Sequence, residues 1–231
     1  CTDWSFCWSL CCRNNAINTV PNPGNYSMYI CSTLNNKDAP CNSSPDFLDK
    51  PVNFLCMGAP TAISNASYDV DGDSIVYEWV RPLDSPGNNV PYLPPWGYTN
   101  PLSSSTPISL NPTTGSINLT PNLLQQGIMA VIVKEYRNGV LVSTVIRDMQ
   151  IITYPCTNQP PQLTDFGGVY NGSNVQIETC PGLPVTYTFN ARDLDGNNLT
   201  VSGNSPMPGS TVTVNNGTNP ATATFTWTPT Y

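Results

Sequence analysis

Histidine is absent from the chain. Its absence removes the commonest general base and the commonest zinc ligand, so no Ser–His or Cys–His nucleophile can be assembled. A structural zinc site would need cysteines alone, and no CxxC…CxxC pair occurs. Charge is scarce as well. Asp, Glu, Lys and Arg make up 10% of residues, and the eight basic ones are scattered against fifteen acidic ones, for a net charge of −7. Such a surface repels phosphate backbones and anionic lipid, which excludes nucleic acid as a partner. Long hydrophobic runs are missing too. GIMAVIV (127–133) and VLVSTVI (140–146) are too short for a membrane-spanning helix. No leader pattern is visible, so the expectation is a removed leader or an interior piece of a longer chain. Cys1 fits either a lipidated lipoprotein cysteine or a trimmed chain end.

What fills the gap is Asn, Thr and Ser, with 24 Pro and 16 Gly in 231 residues. That mixture favours short strands and turns over helices. The length allows one large domain or two of ordinary size. Nine cysteines suggest an oxidising compartment and disulfides, and the odd count leaves at least one without a partner inside the chain.

An internal repeat organises the rest. Shifted by 124 residues, CMGAPTAISNASYDVDGDSI (56–75) falls on CPGLPVTYTFNARDLDGNNL (180–199) without a gap. Cys56, Gly58, Pro60, Asp69, Asp71 and Gly72 meet identical residues, and Asp73 meets Asn197. LTP (119–121) and WTP (227–229) look equivalent. Period-two alternation flanks each Asp-Gly, which predicts a hairpin there. GIMAVIVKEY and VLVSTVIRDMQIIT predict two long strands joined at Arg137-Asn138-Gly139, and PNLLQQ (121–126) is the one helix candidate. About seven short strands in about a hundred residues match an immunoglobulin-like sandwich. The expected fold is therefore all-β, with tandem Ig-like sandwiches and incomplete terminal ones. Residues 1–48 are expected to be a cysteine-rich tail of an upstream β unit, 49–155 a complete repeat, and 156–231 the start of a second, truncated one.

The acidic turns carry the chemistry. An EF-hand is excluded, because position twelve from Asp69 is Val80 and from Asp193 is Asn204, where a bidentate Glu is required. Asp69, Asp71 and Asp73 can still converge on calcium as hard oxygen ligands, with Asp148 as a fourth carboxylate. Asp193, Asp195 and Asn197 form the weaker copy, one carboxylate short. The competing reading is a plain turn, since Asp and Asn bond their own backbone and Gly supplies positive φ. Adjacent exposed acids do not make a glycosidase pair, which needs carboxylates across a cleft. In PYLPPWGYTNP, Tyr92, Trp96 and Tyr98 could stack on a sugar or fold back over the sandwich. Cys41–Cys56 and Cys156–Cys180 are the expected disulfides, each leading a Pro-containing segment into C-x-G-x-P. Pairing of Cys1, Cys7, Cys11, Cys12 and Cys31 is not deducible, and a bond between adjacent Cys11 and Cys12 is not expected. Seven N-x-[ST] sequons suit so polar a chain, and Asp73-Ser74-Ile75 fits a short O-glycosylation pattern.

CCRNNAI (11–17), NSSPDF (42–47), the twin D-x-D-G-[DN] stretches, VIRDMQI (145–151) and FTWTP (225–229) resemble repeat units of large Bacteroidetes surface proteins with PKD-like or cadherin-like domains. The resemblance implies type IX secretion, an extracellular cell-surface location and a non-enzymatic adhesive or filament role. It implies as partners other domains of the same chain or neighbouring subunits, with surface polysaccharide as a target. The alternative is a carbohydrate-binding accessory module of a secreted enzyme, resting on Tyr92, Trp96 and Tyr98.

Overall fold

A computed structural model describes residues 3–158, 161–164, 179–203 and 207–230. Cys1 and the sequon at Asn171 lie outside the described residues. The described residues are all-β, with 47% of them in strands or isolated bridges. In chain order the strands are β1 (Asp3–Leu10), β2 (Met28–Asn35), β3 (Asp46–Phe47), β4 (Phe54–Cys56), β5 (Thr61–Ile63), β6 (Ser67–Tyr68), β7 (Ser74–Val80), β8 (Leu83–Ser85), β9 (Asn88–Asn89), β10 (Ser109–Leu110), β11 (Ile117–Leu119), β12 (Gln126–Arg137), β13 (Val140–Tyr154), β14 (Gln162–Thr164), β15 (Val185–Arg192), β16 (Thr211–Asn215) and β17 (Ala221–Trp227). PNLLQQ is not helical. The helix among the described residues is a single 3-10 turn at Pro23–Asn25, because prolines and a strand start leave no room to nucleate a longer one.

Two compact units form, Cys1–Pro155 and Cys156–Tyr231. In the first, an eight-stranded sheet runs β7-β12-β13-β2-β8-β9, with β1 on β2 and β4 on β13. A smaller sheet, β10-β11-β5, faces it. Ile63, Ile117 and Leu119 of the small sheet pack against Tyr77, Met129, Val131, Val133, Met149 and Ile151 of the large one. Alternation on β12 sends Met129, Val131 and Val133 to this core. Ile128 goes to the opposite face, where Ile17, Val20 and Val90 cover it. The β12–β13 hairpin turns at Asn138 and Gly139, both at positive φ (52° and 79°), as a two-residue primed turn requires.

Residues 1–48 are not a separate unit. β2 pairs with β13 through Thr33↔Thr144 and Leu34↔Ser143, and the Thr33 and Thr144 hydroxyls lie 2.7 Å apart. Arg13 donates to both carboxylate oxygens of Asp148 at 3.0 and 2.6 Å, with both side chains almost fully buried. This ion pair seals the N-terminal segment onto the large sheet.

The second unit repeats the small-sheet side of the first in detail. Gly58 donates to Pro121 O at 2.7 Å and Gly182 to Pro229 O at 2.8 Å. Thr61↔Leu119 and Ile63↔Ile117 recur as Val185↔Trp227 and Tyr187↔Phe225. Phe47↔Ser67 recurs as Leu163↔Ala191. Two pairings that are separate in the first unit merge in the second into one sheet, β14-β15-β17-β16.

The cysteine expectations fail in an informative way. Cys41 and Cys180 are free, exposed thiols, whereas Cys56 and Cys156 are disulfide-bonded. Neither Cys41–Cys56 nor Cys156–Cys180 forms. Cys7 and Cys31 face each other across β1–β2 and are bridged, and Cys11 is bonded to its neighbour Cys12. The recurring C-x-G-x-P spacing leads into a strand in both copies, β5 and β15, while its cysteine is bonded in the first and free in the second.

Candidate functional site

The first acidic turn is not a hairpin. β6 before it pairs with β3, and β7 after it pairs with β12. The loop therefore carries the chain between sheets and ends beside the tip of β12. Asp69 shapes it: Oδ1 accepts the amides of Asp71 and Asp73 at 2.9 and 3.1 Å. Gly72 closes the turn at φ +80°, where a side chain would be strained. The second loop is built identically. Asp193 Oδ1 accepts the amides of Asp195 and Asn197 at 2.9 and 3.2 Å, and Gly196 has φ +83°.

Around the first loop the acids meet an unforeseen partner. Among the described residues, one group of acidic side chains lies close enough to share an ion: Asp69, Asp73 and Glu135, with ligand oxygens all within 4.8 Å of one another. Glu135 follows Met129, Val131 and Val133 on the core-facing side of β12 and is fully buried. Burial pushes its carboxyl up to about 7. Arg137 grips Asp73, its Nε and Nη2 lying 2.8 and 2.6 Å from the carboxylate oxygens. That charge-assisted pairing lowers the Asp73 carboxyl below its usual range. Asn42 joins both: its Nδ2 donates to Glu135 Oε1, and its Oδ1 accepts from Arg137, each at 2.7 Å. Two buried oxygens, Asp69 Oδ2 and Glu135 Oε2, have no hydrogen-bond partner.

Asp71 stands outside this triad. It accepts the Ser43 amide at 2.7 Å and faces Arg137 at 3.7 Å. Asp148 is excluded by its pairing with Arg13. It lies opposite Ala130 on the ladder, five residues before Glu135. Asp193, Asp195 and Asn197 gather no third acid among the described residues. Asn197 instead donates to Asn158 Oδ1 at 2.6 Å, and Asn219 brackets Asp193 through its amide and carbonyl. A signal for Glu135 did exist in the sequence: an acid two residues after Val133, in phase with Met129, Val131 and Val133 of one apolar strand.

The aromatic loop does not present three exposed rings. Tyr92 packs on the Ile17–Ile128 cluster and donates to Ile128 O at 2.9 Å. Arg81 sits over the Tyr98 ring, 4.8 Å from its centroid, and Trp96 is half-buried. Folding back over the sandwich is the reading these contacts favour.

No family model matches the chain, and no curated protein matches it. Among solved structures, similar chains include the protocadherin gamma B7 extracellular cadherin domains 1–4, at 16% identity over 86% of this chain and 48% of that one (TM-score 0.29). Others are the titin Z1Z2 domains in complex with telethonin, at 8% identity over 82% and 84% (TM-score 0.25), and the Sidekick-1 immunoglobulin domains 1–5, at 12% over 100% and 46% (TM-score 0.25). All three TM-scores lie below 0.3, and no property of this chain is drawn from these likenesses.

Proposed function

We propose that this chain is a non-enzymatic, extracellular, structural segment of a large cell-surface adhesin or filament of the Bacteroidetes type IX-secreted kind. Its units are stiffened by disulfides and by calcium at the first acidic turn. The observation that carries this reading is the tandem repetition down to single hydrogen bonds, Gly58–Pro121 against Gly182–Pro229. A chain that repeats its scaffold this closely is suited to spacing and presentation. The disulfides agree with an oxidising exterior. Its partners are further domains of the same chain or neighbouring subunits. Antibody raised to the purified segment should label intact cells, and the soluble segment should compete with their attachment. Labelling only after lysis would refute the surface location, and unchanged attachment would refute the adhesive role.

A further inference from the structure

We infer that Asp69, Asp73 and Glu135 form a calcium-class cation site, with Asn42 and Arg137 as positioning residues, and that the described residues around the second acidic turn supply no such site. This rests on reading the chain as an extracellular structural segment, and it replaces the run of alternating turn acids with a ligand set that spans two elements.

Three observations carry it. First, geometry: two oxygens bound to one calcium at about 2.4 Å can lie at most about 4.8 Å apart, and the three acids satisfy that limit. Second, Glu135 is fully buried, yet its Oε2 has no partner, and neither has Asp69 Oδ2. Unpartnered buried oxygens are rare in native structures and call for an explanation. A single proton on Glu135 can bridge to Asp69 or to Asp73 but not to both. A divalent ion touches all three. Third, the donors are hard oxygens without nitrogen or sulfur, on a loop and a strand end, which suits the irregular shell of calcium better than the strict octahedron of magnesium. Arg137 is compatible, because it occupies both acceptor positions of Asp73 Oδ2, at 2.6 and 3.1 Å, but only one on Oδ1, at 2.8 Å, which leaves Oδ1 a lone pair for the ion. Asn42 aims Glu135 by fixing its other oxygen.

The ion would tie the inter-sheet loop to the tip of β12 and, through Asn42 and Ser43, hold segment 41–43 in place. The test is thermal melting of the full chain in chelator and in several millimolar calcium, with calorimetric titration for stoichiometry. Wild type should melt higher with calcium and bind one ion per chain. Glu135→Gln should lose both the shift and the ion, and Asp195→Asn should keep both. Should Glu135→Gln fail to fold, Asp69→Asn, which retains the turn-forming Oδ1, is expected to give the same loss. A wild type indifferent to calcium, a Glu135→Gln protein that still responds, or loss of the response in Asp195→Asn would each overturn the assignment. None of these outcomes bears on cell-surface labelling, so the broader functional reading stands or falls separately.

Discussion

The two acidic turns share their backbone hydrogen bonds and their positive-φ glycine and are unlike as chemistry. In both, an Asp oxygen collects two amides ahead of a positive-φ glycine. In the first, a buried Glu and an Arg from a strand tip close over the turn. In the second, two asparagines do so. The motif D-x-D-G-[DN] thus encodes a turn, and whatever binds there is decided by residues far away in sequence.

The strongest blow to this contrast would come through Asp148. Asp148→Asn removes one partner of a buried ion pair and should cost about 3–5 kcal/mol of stability, measured by urea denaturation. The calcium-induced shift should survive, because Asp148 serves Arg13 and not the turn. A lost shift would return Asp148 to the site.

Glu135 sharpens the contrast through pH. Its carboxyl is raised in the folded state from 4.5 to about 7 by burial. Between those values the folded protein holds a proton that the unfolded chain has released. In chelator, stability should therefore fall as pH rises from about 4.5 to about 7 and then level off. Glu135→Gln should remove this slope and make the metal-free protein more stable than wild type at pH 8. The sign of its effect should reverse once calcium is added. Denaturation at pH 5 and pH 8, with and without calcium, reads all four corners.

The shared backbone predicts equality instead. A Cβ at Gly72 or Gly196 meets nothing within 4 Å, so alanine at either should cost only the left-handed backbone penalty, about 1–2 kcal/mol. Markedly unequal losses in chelator would mean that the turns differ as backbone too. The smallest expected effect is none: Asn197→Asp gives the second turn the acid it lacks, yet stoichiometry should stay at one ion per chain. A second ion would show that the motif alone suffices.

Much of the fold was legible because it is written locally. Asn138-Gly139 specified a hairpin, the apolar run GIMAVIV specified β12, and LTP and WTP proved equivalent through the Gly58 and Gly182 bonds. The parts that were not legible depend on distant pairing. Period two around Asp-Gly looked like a hairpin, yet each flanking strand found another partner, since alternation reports which face is buried and not which strand lies alongside. The site suffered likewise. Asp69 and Asp73 are evident in the sequence, but Glu135 reaches them only through the Tyr136↔Ser74 and Glu135↔Ile75 register. Free Cys41 and Cys180 show the same limit for disulfides, and alkylation of the unreduced protein should label both.

The Arg13–Asp148 pair has a consequence for heredity. The recurring sequence period starts near Cys56, but the folded unit it belongs to begins with the β1–β2 hairpin. The two are out of phase. A crossover that copied residues 49–155 alone would transmit the acidic turn and the β12–β13 hairpin and still deliver a sheet with an uncompensated buried carboxylate. A copy that keeps Asp148 buried must also carry the segment that holds Arg13. A module that keeps this pair intact is therefore offset from the visible repeat.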